Sequence, residues 1–224
     1  MATTTPTPSL SPAQRQRLED EGYLHLPGFF PPAWLDEVDA LVAANLKEGR
    51  LVMPAEGEGK LFAVQFLSER APALRPYFWR GPTADLAHEL LGPAVRLVTN
   101  RYLVKPPHCQ EVFPWHRDCE EYANVSADAG VTMWIPLAAA TRQNGCLWYV
   151  PGSHRAPDGA ALPPPVCVPM ARGDLALHSL GTNHMTGRNR TAEARAVVAL
   201  EYIKADARHP ETGLLFENAP LLER

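Results

Sequence analysis

Apolar and polar positions follow two different periods along the chain, and the change falls near Gly92. Before it, apolar side chains recur every three or four residues, the spacing of an amphipathic helix. The clearest stretch is 32–49, with Trp34, Leu35, Val38, Leu41, Val42 and Leu46 on one face. Ser11-Pro12 is typical of a helix start, and Gly22 and Gly92-Pro93 are typical of helix ends. Helices are therefore predicted over residues 11–22, 32–49 and 82–91.

After Gly92 the chain consists of short apolar runs separated by Gly, Pro, Asn or Asp. The runs are rich in Val, Leu, Tyr and Trp, as β-strands are. They cover residues 95–105, 131–137, 145–150, 174–180 and 196–203, after an earlier strand-like piece at 23–26. Several short strands with turn residues between them predict a β-sandwich or barrel, with the helices ahead of it and packed outside.

Length and composition fit one globular domain. Of the 224 residues, 46% are hydrophobic and 21% are charged, so a core can form without disulfides or structural metal. Residues 1–10 are rich in Thr and Pro and have little to bury. We expect them to be a flexible tail, followed by a single domain over residues 11–224.

Charge and cysteine content argue against several classes of protein. A net charge of -4 without a basic stripe disfavours a nucleic-acid binder. No apolar run approaches the roughly 18 to 20 residues of a membrane span, and no signal peptide is visible. Cys109, Cys119, Cys146 and Cys167 form no CxxC pair, which is typical of reduced thiols. We expect a cytoplasmic monomer or homodimer that acts on a small molecule, without nucleic-acid or membrane partners.

His116 and Asp118 are the first candidates for chemistry. On an extended strand, residues i and i+2 point to the same side, so these two side chains could bind one ion together. Alone the pattern is weak, because 8 His and 25 acidic residues in 224 give about one such match by chance. A second match, His209-Pro210-Glu211, is set aside because proline and polar flanks do not suit a strand interior.

A second cluster downstream strengthens the first. It contains His178 and His184 and is followed by Arg195 at the start of an apolar strand. Two histidines and one carboxylate form a triad that leaves positions on Fe(II) open for a co-substrate and O2. A buried arginine suits the carboxylate of a ligand, since its planar guanidinium donates two hydrogen bonds. The alternative is that Arg195 pairs with a protein carboxylate such as Glu201.

Further motifs surround these residues in a fixed order. They are residues 20–23 (DEGY), 27–29 (PGF), 114–118 (PWHRD), 134–137 (WIPL), 144–147 (NGCL), 151–154 (PGSH), 173–174 (GD) and 184–186 (HMT), with Asn189 and Arg195. In order and spacing they resemble the phytanoyl-CoA dioxygenase family of Fe(II)- and 2-oxoglutarate-dependent oxygenases. The resemblance covers nearly the whole chain. It implies a mainly β fold with flanking α-helices, a double-stranded β-helix (jelly roll, cupin-like) with N-terminal helices packed outside.

The resemblance also implies a set of site residues. In that family an H-x-D pair and a distal histidine hold the metal, and an arginine eleven residues after the distal histidine binds the far carboxylate of 2-oxoglutarate. This implies His116, Asp118 and His184 as the catalytic metal ligands, in preference to His178, and Arg195 as the carboxylate ligand. Further co-substrate contacts are implied at Thr186, Trp134, Thr99 and Arg101, although Thr99 and Arg101 depart from the Gln, Asn or Met common there. The implied cofactors are Fe(II), 2-oxoglutarate as co-substrate, and O2.

The activity implied is oxidation of a C-H bond. Hydroxylation is the default, and desaturation, epoxidation or ring closure are alternatives for the same class of enzyme. The polar and aromatic side chains beside the ligands favour a small polar natural product or secondary metabolite as substrate. Candidate substrate-binding residues are Glu111, Phe113, Glu121, Tyr122, Trp148 and Met185, and the stretch 51–66 is predicted to be a flexible lid.

Three alternatives remain open. An acyl-CoA hydroxylase of the same family is disfavoured because four lysines and a net charge of -4 offer little attraction for phosphates. A non-catalytic cupin-like barrel would keep His116 and Asp118 as an ordinary pair. A cupin-type metal hydrolase or isomerase would need a third or fourth histidine. Arg195, eleven residues after His184, argues against the last two.

Overall fold

Two antiparallel β-sheets form the framework of the protein. The computed structural model describes residues 9–51, 60–122, 125–157, 159–213, 216 and 219–222. The strands are β1 Tyr23–Leu26, β2 Phe62–Gln65, β3 Val95–Lys105, β4 Phe113–His116, β5 Gly130–Pro136, β6 Leu147–Tyr149, β7 Val166–Val168, β8 Leu175–Ser179, β9 His184–Thr186 and β10 Arg195–Lys204. One sheet has the order β1-β8-β5-β10-β3-β2, and the other has the order β4-β9-β6-β7.

Helices occupy one face of the larger sheet. They are α1 Pro12–Glu21, α2 Pro32–Lys47, α3 Leu67–Arg70, α4 Arg75–Phe78 and α5 Pro82–Leu91, with short 3-10 segments at Pro72–Leu74, Asp118–Tyr122 and Ala127–Ala129. Alternate residues of β10 divide the interior in two. Val198 and Leu200 join the core formed with the helices. Val197 and Ala199 face the smaller sheet. The arrangement confirms the predicted jelly roll with helices outside.

Elements with local sequence signals lie where they were predicted. The side chain of Ser11 accepts a hydrogen bond from the Gln14 backbone N-H at 3.2 Å, which caps α1. Gly22 ends that helix with φ of 81°, a left-handed conformation that suits glycine. Helix α5 and strand β3 match the predicted spans 82–91 and 95–105. Strands β7 and β9, each three residues long, were not predicted.

The predicted lid over residues 51–66 is corrected at its C-terminal end. Phe62–Gln65 forms strand β2 and pairs with β3. Just before it, the backbone N-H of Leu61 donates to Oε2 of Glu111 at 2.6 Å. These contacts hold the segment against the sheet, while residues 52–59 of the predicted lid lie outside the described residues.

The predicted N-terminal tail is also corrected where it is described. Leu10 is buried in the core, and its backbone N-H donates to Oε1 of Glu89 at 3.0 Å. The hydroxyl of Ser9 donates to the same oxygen at 3.1 Å. The ordered packing therefore begins before Ser11, and residues 1–8 lie outside the described residues.

The cysteines are free thiols, as predicted. Cys146 and Cys167, distant in sequence, come together where β6 and β7 pair, with 3.2 Å between their sulfur atoms. In the part of the chain that the structure describes, no helix has the length and apolar character needed to span a membrane.

Candidate metal centre

The two sheets bring three potential metal ligands together. His116 ends β4 and His184 begins β9, and the two residues are direct partners in the antiparallel register. The sequence predicts that Asp118 lies on the same strand as His116. In the structure, Asp118 instead begins the 3-10 segment that follows β4. The ligand atoms of the three side chains nevertheless all lie within 4.8 Å of one another.

Backbone hydrogen bonds orient both imidazoles. Nδ1 of His116 donates to the carbonyl oxygen of Pro114 at 2.8 Å, and Nδ1 of His184 donates to that of Thr182 at 2.9 Å. A proton fixed on Nδ1 leaves the Nε2 lone pair for a metal ion. Both Nε2 atoms point to Oδ1 of Asp118, at 3.3 Å from His116 and 3.6 Å from His184.

The electrostatics of the site favour the ligand forms of Asp118 and His184. Burial, together with the nearby histidines His178 and His116, lowers the pKa of His184 to about 3, so its imidazole is neutral near pH 7. Burial alone would raise the pKa of Asp118, but its interactions with the imidazoles of His184, His116 and His178 hold it well below its usual value. Burial opposes protonation of His116 as well, yet the hydrogen bond and charge of Asp118 raise its pKa. Two nitrogen donors and one ionised carboxylate fit Fe(II) with coordination positions left open.

A cavity adjoins these ligands, and Arg195 lies in its wall. Arg195 is buried, and its guanidinium carbon is 5.3 Å from the ring centroid of Trp134. Thr186 lines the same cavity. Nε of Arg195 has no hydrogen-bond partner in the described part of the chain. None of the ion pairs among the described residues includes Arg195, and the suggested partner Glu201 pairs with Arg101 instead. Burial lowers the pKa of Arg195 to about 10, which leaves it charged at neutral pH and suited to a ligand carboxylate.

Arg101, by contrast, is saturated by protein groups. It forms ion pairs with Glu121 and, at 3.3 Å between Nη1 and Oε1, with Glu201. Its Nε donates to Oε1 of Gln65 at 2.8 Å. Thr99, also predicted as a co-substrate contact, has its hydroxyl 3.0 Å from that of Tyr122. Arg101 lines the cavity, but these contacts leave it no free charge for a ligand.

The predicted substrate residues have four different environments in the structure. Phe113 lines the cavity, and its ring centroid is 4.6 Å from that of His116. Glu121 and Tyr122 join the Arg101 cluster, whereas Glu111 accepts a hydrogen bond from the backbone of Leu61, which lines the cavity.

Trp148 and Met185 are corrected, because the structure places them away from the cavity. They are direct partners on β6 and β9. Side chains alternate along a strand, and the residues beside them, Leu147, His184 and Thr186, line the cavity. Trp148 and Met185 therefore project from the opposite face of the smaller sheet.

Glu201 is the main cavity residue that sequence reasoning missed. It was considered only as a partner for Arg195. It follows Arg195 by six positions on β10, and this even spacing places both on one face. Burial, followed by the charge of Asp118, raises the pKa of Glu201 to about 8.

Comparison with known proteins agrees with the fold and the site. The family model for phytanoyl-CoA dioxygenase matches residues 18–197. Phytanoyl-CoA dioxygenase domain-containing protein 1 of Bos taurus is 26% identical over 65% of this chain and 66% of its own. The carbocyclase SnoK from nogalamycin biosynthesis superposes with a TM-score of 0.80 at 23% identity, covering 99% of this chain and 100% of its own. The epimerase SnoN, in complex with Fe3+, alpha ketoglutarate and nogalamycin RO, has a TM-score of 0.76 at 25% identity over 94% and 98%.

A jelly roll carrying a two-histidine, one-carboxylate site is the architecture of non-haem iron oxygenases. This chain belongs to the phytanoyl-CoA dioxygenase family, which confirms the resemblance stated from its motifs. The matches cover between 31% and 66% of the length of the first four curated relatives.

The raised pKa of Glu201 predicts a specific dependence of stability on pH. In the unfolded chain this carboxyl titrates near 4.5, but in the folded metal-free protein it titrates near 8. The folded state therefore binds this proton more tightly, and the stabilisation is complete below the lower value and lost as pH rises through the higher one. Glu201→Gln removes this titration. We expect the melting temperature of the metal-free variant to fall less than that of wild type between about pH 5 and about pH 9.

The exposed Glu19, paired with Arg155 at the surface, supplies the control. Glu19→Gln should follow the wild-type melting profile. Parallel profiles for Glu201→Gln and wild type would show that Glu201 does not hold its proton as described.

Proposed function

We propose that this chain is an Fe(II)- and 2-oxoglutarate-dependent dioxygenase that hydroxylates a C-H bond of a small polar metabolite. The observation that carries the proposal is Arg195, a buried cation that forms no ion pair with a carboxylate of the described residues, in the same cavity as the His116, Asp118 and His184 ligands. A buried charge needs a partner. A co-substrate that binds the metal at one end and offers a carboxylate at the other meets that need.

The donor set fits Fe(II), and Arg195 in the cavity wall suits the far carboxylate of 2-oxoglutarate. His116, Asp118 and His184 would hold the metal, while Arg195 and the hydroxyl of Thr186 would bind the far carboxylate of the co-substrate. When bound, iron and 2-oxoglutarate supply the oxidising chemistry, in which O2 is consumed, 2-oxoglutarate becomes succinate and CO2, and one oxygen atom enters the substrate. The similar SnoN structure holds Fe3+ and alpha ketoglutarate, which supports this pairing of cofactors.

The remaining side chains position the substrate and exclude water. Trp134, Leu103, Leu147 and Ala199 give the cavity apolar walls. Such walls keep bulk water from the metal and fix the target C-H bond relative to it. Phe113 extends this surface beside the ring of His116.

The charges around the cavity support a neutral or cationic substrate. Among the described residues that line it, the arginines are Arg101 and Arg195. Arg101 is already paired with Glu121 and Glu201, and Arg195 is assigned to the co-substrate. No unpaired arginine or lysine then remains among these lining residues for the phosphates of an acyl-CoA, whereas the carboxyl group of Glu201 lines the cavity and suits a hydroxyl or amino group.

Replacing Arg195 should weaken 2-oxoglutarate binding specifically. Under anaerobic conditions the wild-type protein should develop a visible charge-transfer band only when both Fe(II) and 2-oxoglutarate are added. In Arg195→Gln we expect the 2-oxoglutarate concentration at half-maximal absorbance to rise about 10-fold to 100-fold, because charge-assisted hydrogen bonds to the carboxylate are lost. The measurement is a titration followed by absorbance.

The matched control for this titration is Arg142→Gln. Arg142 also stacks on a tryptophan, at 4.9 Å from the ring centroid of Trp148, but it is exposed on the far side of the smaller sheet. It should titrate like wild type, whereas His184→Ala should lose the band. Absence of the band in wild type would refute the oxygenase and favour a non-catalytic ligand-binding barrel.

The charge distribution predicts which compounds stimulate turnover. Small hydroxylated or amino compounds should increase succinate release above the substrate-free rate, and a product mass higher by one oxygen atom would identify hydroxylation. Acyl-CoAs should not stimulate, since Arg101 is already paired. Stimulation by acyl-CoAs alone would contradict the proposed substrate class.

A further inference from the structure

His178 lies next to the metal ligands without being one of them. Its ring is fully buried and its centroid is 4.3 Å from that of His184. Its Nε2 atom is 3.0 Å from Oδ2 of Asp118. The two ligand histidines approach the other carboxylate oxygen, Oδ1. Asp118 therefore presents one oxygen to the metal position and the other to His178.

Thr132 approaches the same outer oxygen. Its hydroxyl donates to Oδ2 of Asp118 at 2.5 Å. Thr132 and His178 are direct partners in the register of β5 and β8. Neighbouring strands of the larger sheet therefore place both donors beside Oδ2 of Asp118. The outer oxygen thus receives two protein hydrogen bonds.

Tyr149 completes the arrangement from the smaller sheet. Its hydroxyl is 2.8 Å from Nδ1 of His178, and its ring stacks on that of Tyr23 with centroids 4.4 Å apart. When Nε2 of a neutral imidazole donates to a carboxylate, Nδ1 must accept. The hydroxyl of Tyr149 then donates to His178, which orients the ring toward Asp118.

We propose that His178 is a positioning residue that, together with Thr132, holds Asp118 as a one-oxygen metal ligand. A carboxylate can bind a metal ion through one oxygen or through both. Binding through both would occupy a coordination position that the co-substrate or O2 requires. Two hydrogen bonds on Oδ2 keep that oxygen turned away. The inference rests on the proposed function only in placing a metal at His116, Asp118 and His184.

Matched substitutions separate this role from simple packing. His178→Gln can place an N-H donor near the position of Nε2, whereas His178→Leu fills similar space without a donor. Thr132→Ser and Thr132→Val form a second pair with the same contrast. Tyr149→Phe removes only the hydroxyl that orients His178.

The probe is Co(II) added alone to the metal-free protein. Its visible absorption reports the number and geometry of its ligands, without any need for turnover. We expect His178→Leu and Thr132→Val to bind Co(II) about 10-fold to 100-fold more weakly than wild type, with an altered spectrum. His178→Gln and Thr132→Ser should keep the wild-type spectrum, and Tyr149→Phe should give a smaller change in the direction of His178→Leu. Melting temperatures of the metal-free variants show which of them are folded.

Wild-type Co(II) affinity and spectrum in a folded His178→Leu variant would overturn the inference. Equal impairment in His178→Gln and His178→Leu would also overturn it, since packing alone would then explain the effect. If His178→Leu does not fold, unchanged Co(II) spectra in Thr132→Val and Tyr149→Phe would have the same meaning. A wild-type protein that binds Co(II) but shows no spectral response to 2-oxoglutarate would contradict the proposed function and leave the test of His178 intact.

Discussion

The buried negative charge of Asp118 is the constraint around which the interior is organised. Its side chain is almost fully enclosed, and burial by itself favours the protonated form of a carboxyl. His116 and His184 lie on the side of one carboxylate oxygen, and Thr132 and His178 bond to the other. These contacts come from both sheets, so the ionised form depends on the sheets closing against each other. The same closure creates the cavity beside the metal position.

The two arginines of the cavity show how charge divides it. Arg101 faces Glu121 and Glu201 and has its charge balanced within the protein. Arg195 lies against Trp134 and has no such balance among the described residues. The end of the cavity at Arg195 therefore favours an anionic ligand group, whereas the end at Arg101 does not. This asymmetry agrees with a dicarboxylate co-substrate at one end and a neutral or cationic substrate at the other.

The elements that could be predicted from the sequence are those whose signal is local. Helix α1 depends on Ser11 and Gly22, and strand β3 on a long run of apolar residues, so both could be placed from neighbouring positions. The metal ligands emerged from short motifs in a fixed order. The geometry of Asp118 did not, because the end of β4 is set by pairing with β9 rather than by the residues around it.

Residues adjacent in sequence to a ligand are not necessarily adjacent to it in space. Met185 follows His184 directly, yet strand alternation turns it to the opposite face. The partners of Arg101 are 20 and 100 positions away along the chain, beyond the reach of any local pattern. Such contacts follow only from strand order and register, which is why the metal ligands could be predicted better than the substrate half of the cavity.

A structure of crystals grown anaerobically with Fe(II) and 2-oxoglutarate would test directly whether Asp118 binds iron through one oxygen and whether Arg195 binds the co-substrate. It should show iron bound by His116, His184 and only Oδ1 of Asp118, with the far carboxylate of 2-oxoglutarate on Arg195. Iron coordinated by His178, or 2-oxoglutarate held by Arg101 while Arg195 pairs with a protein carboxylate, would contradict this description of the site.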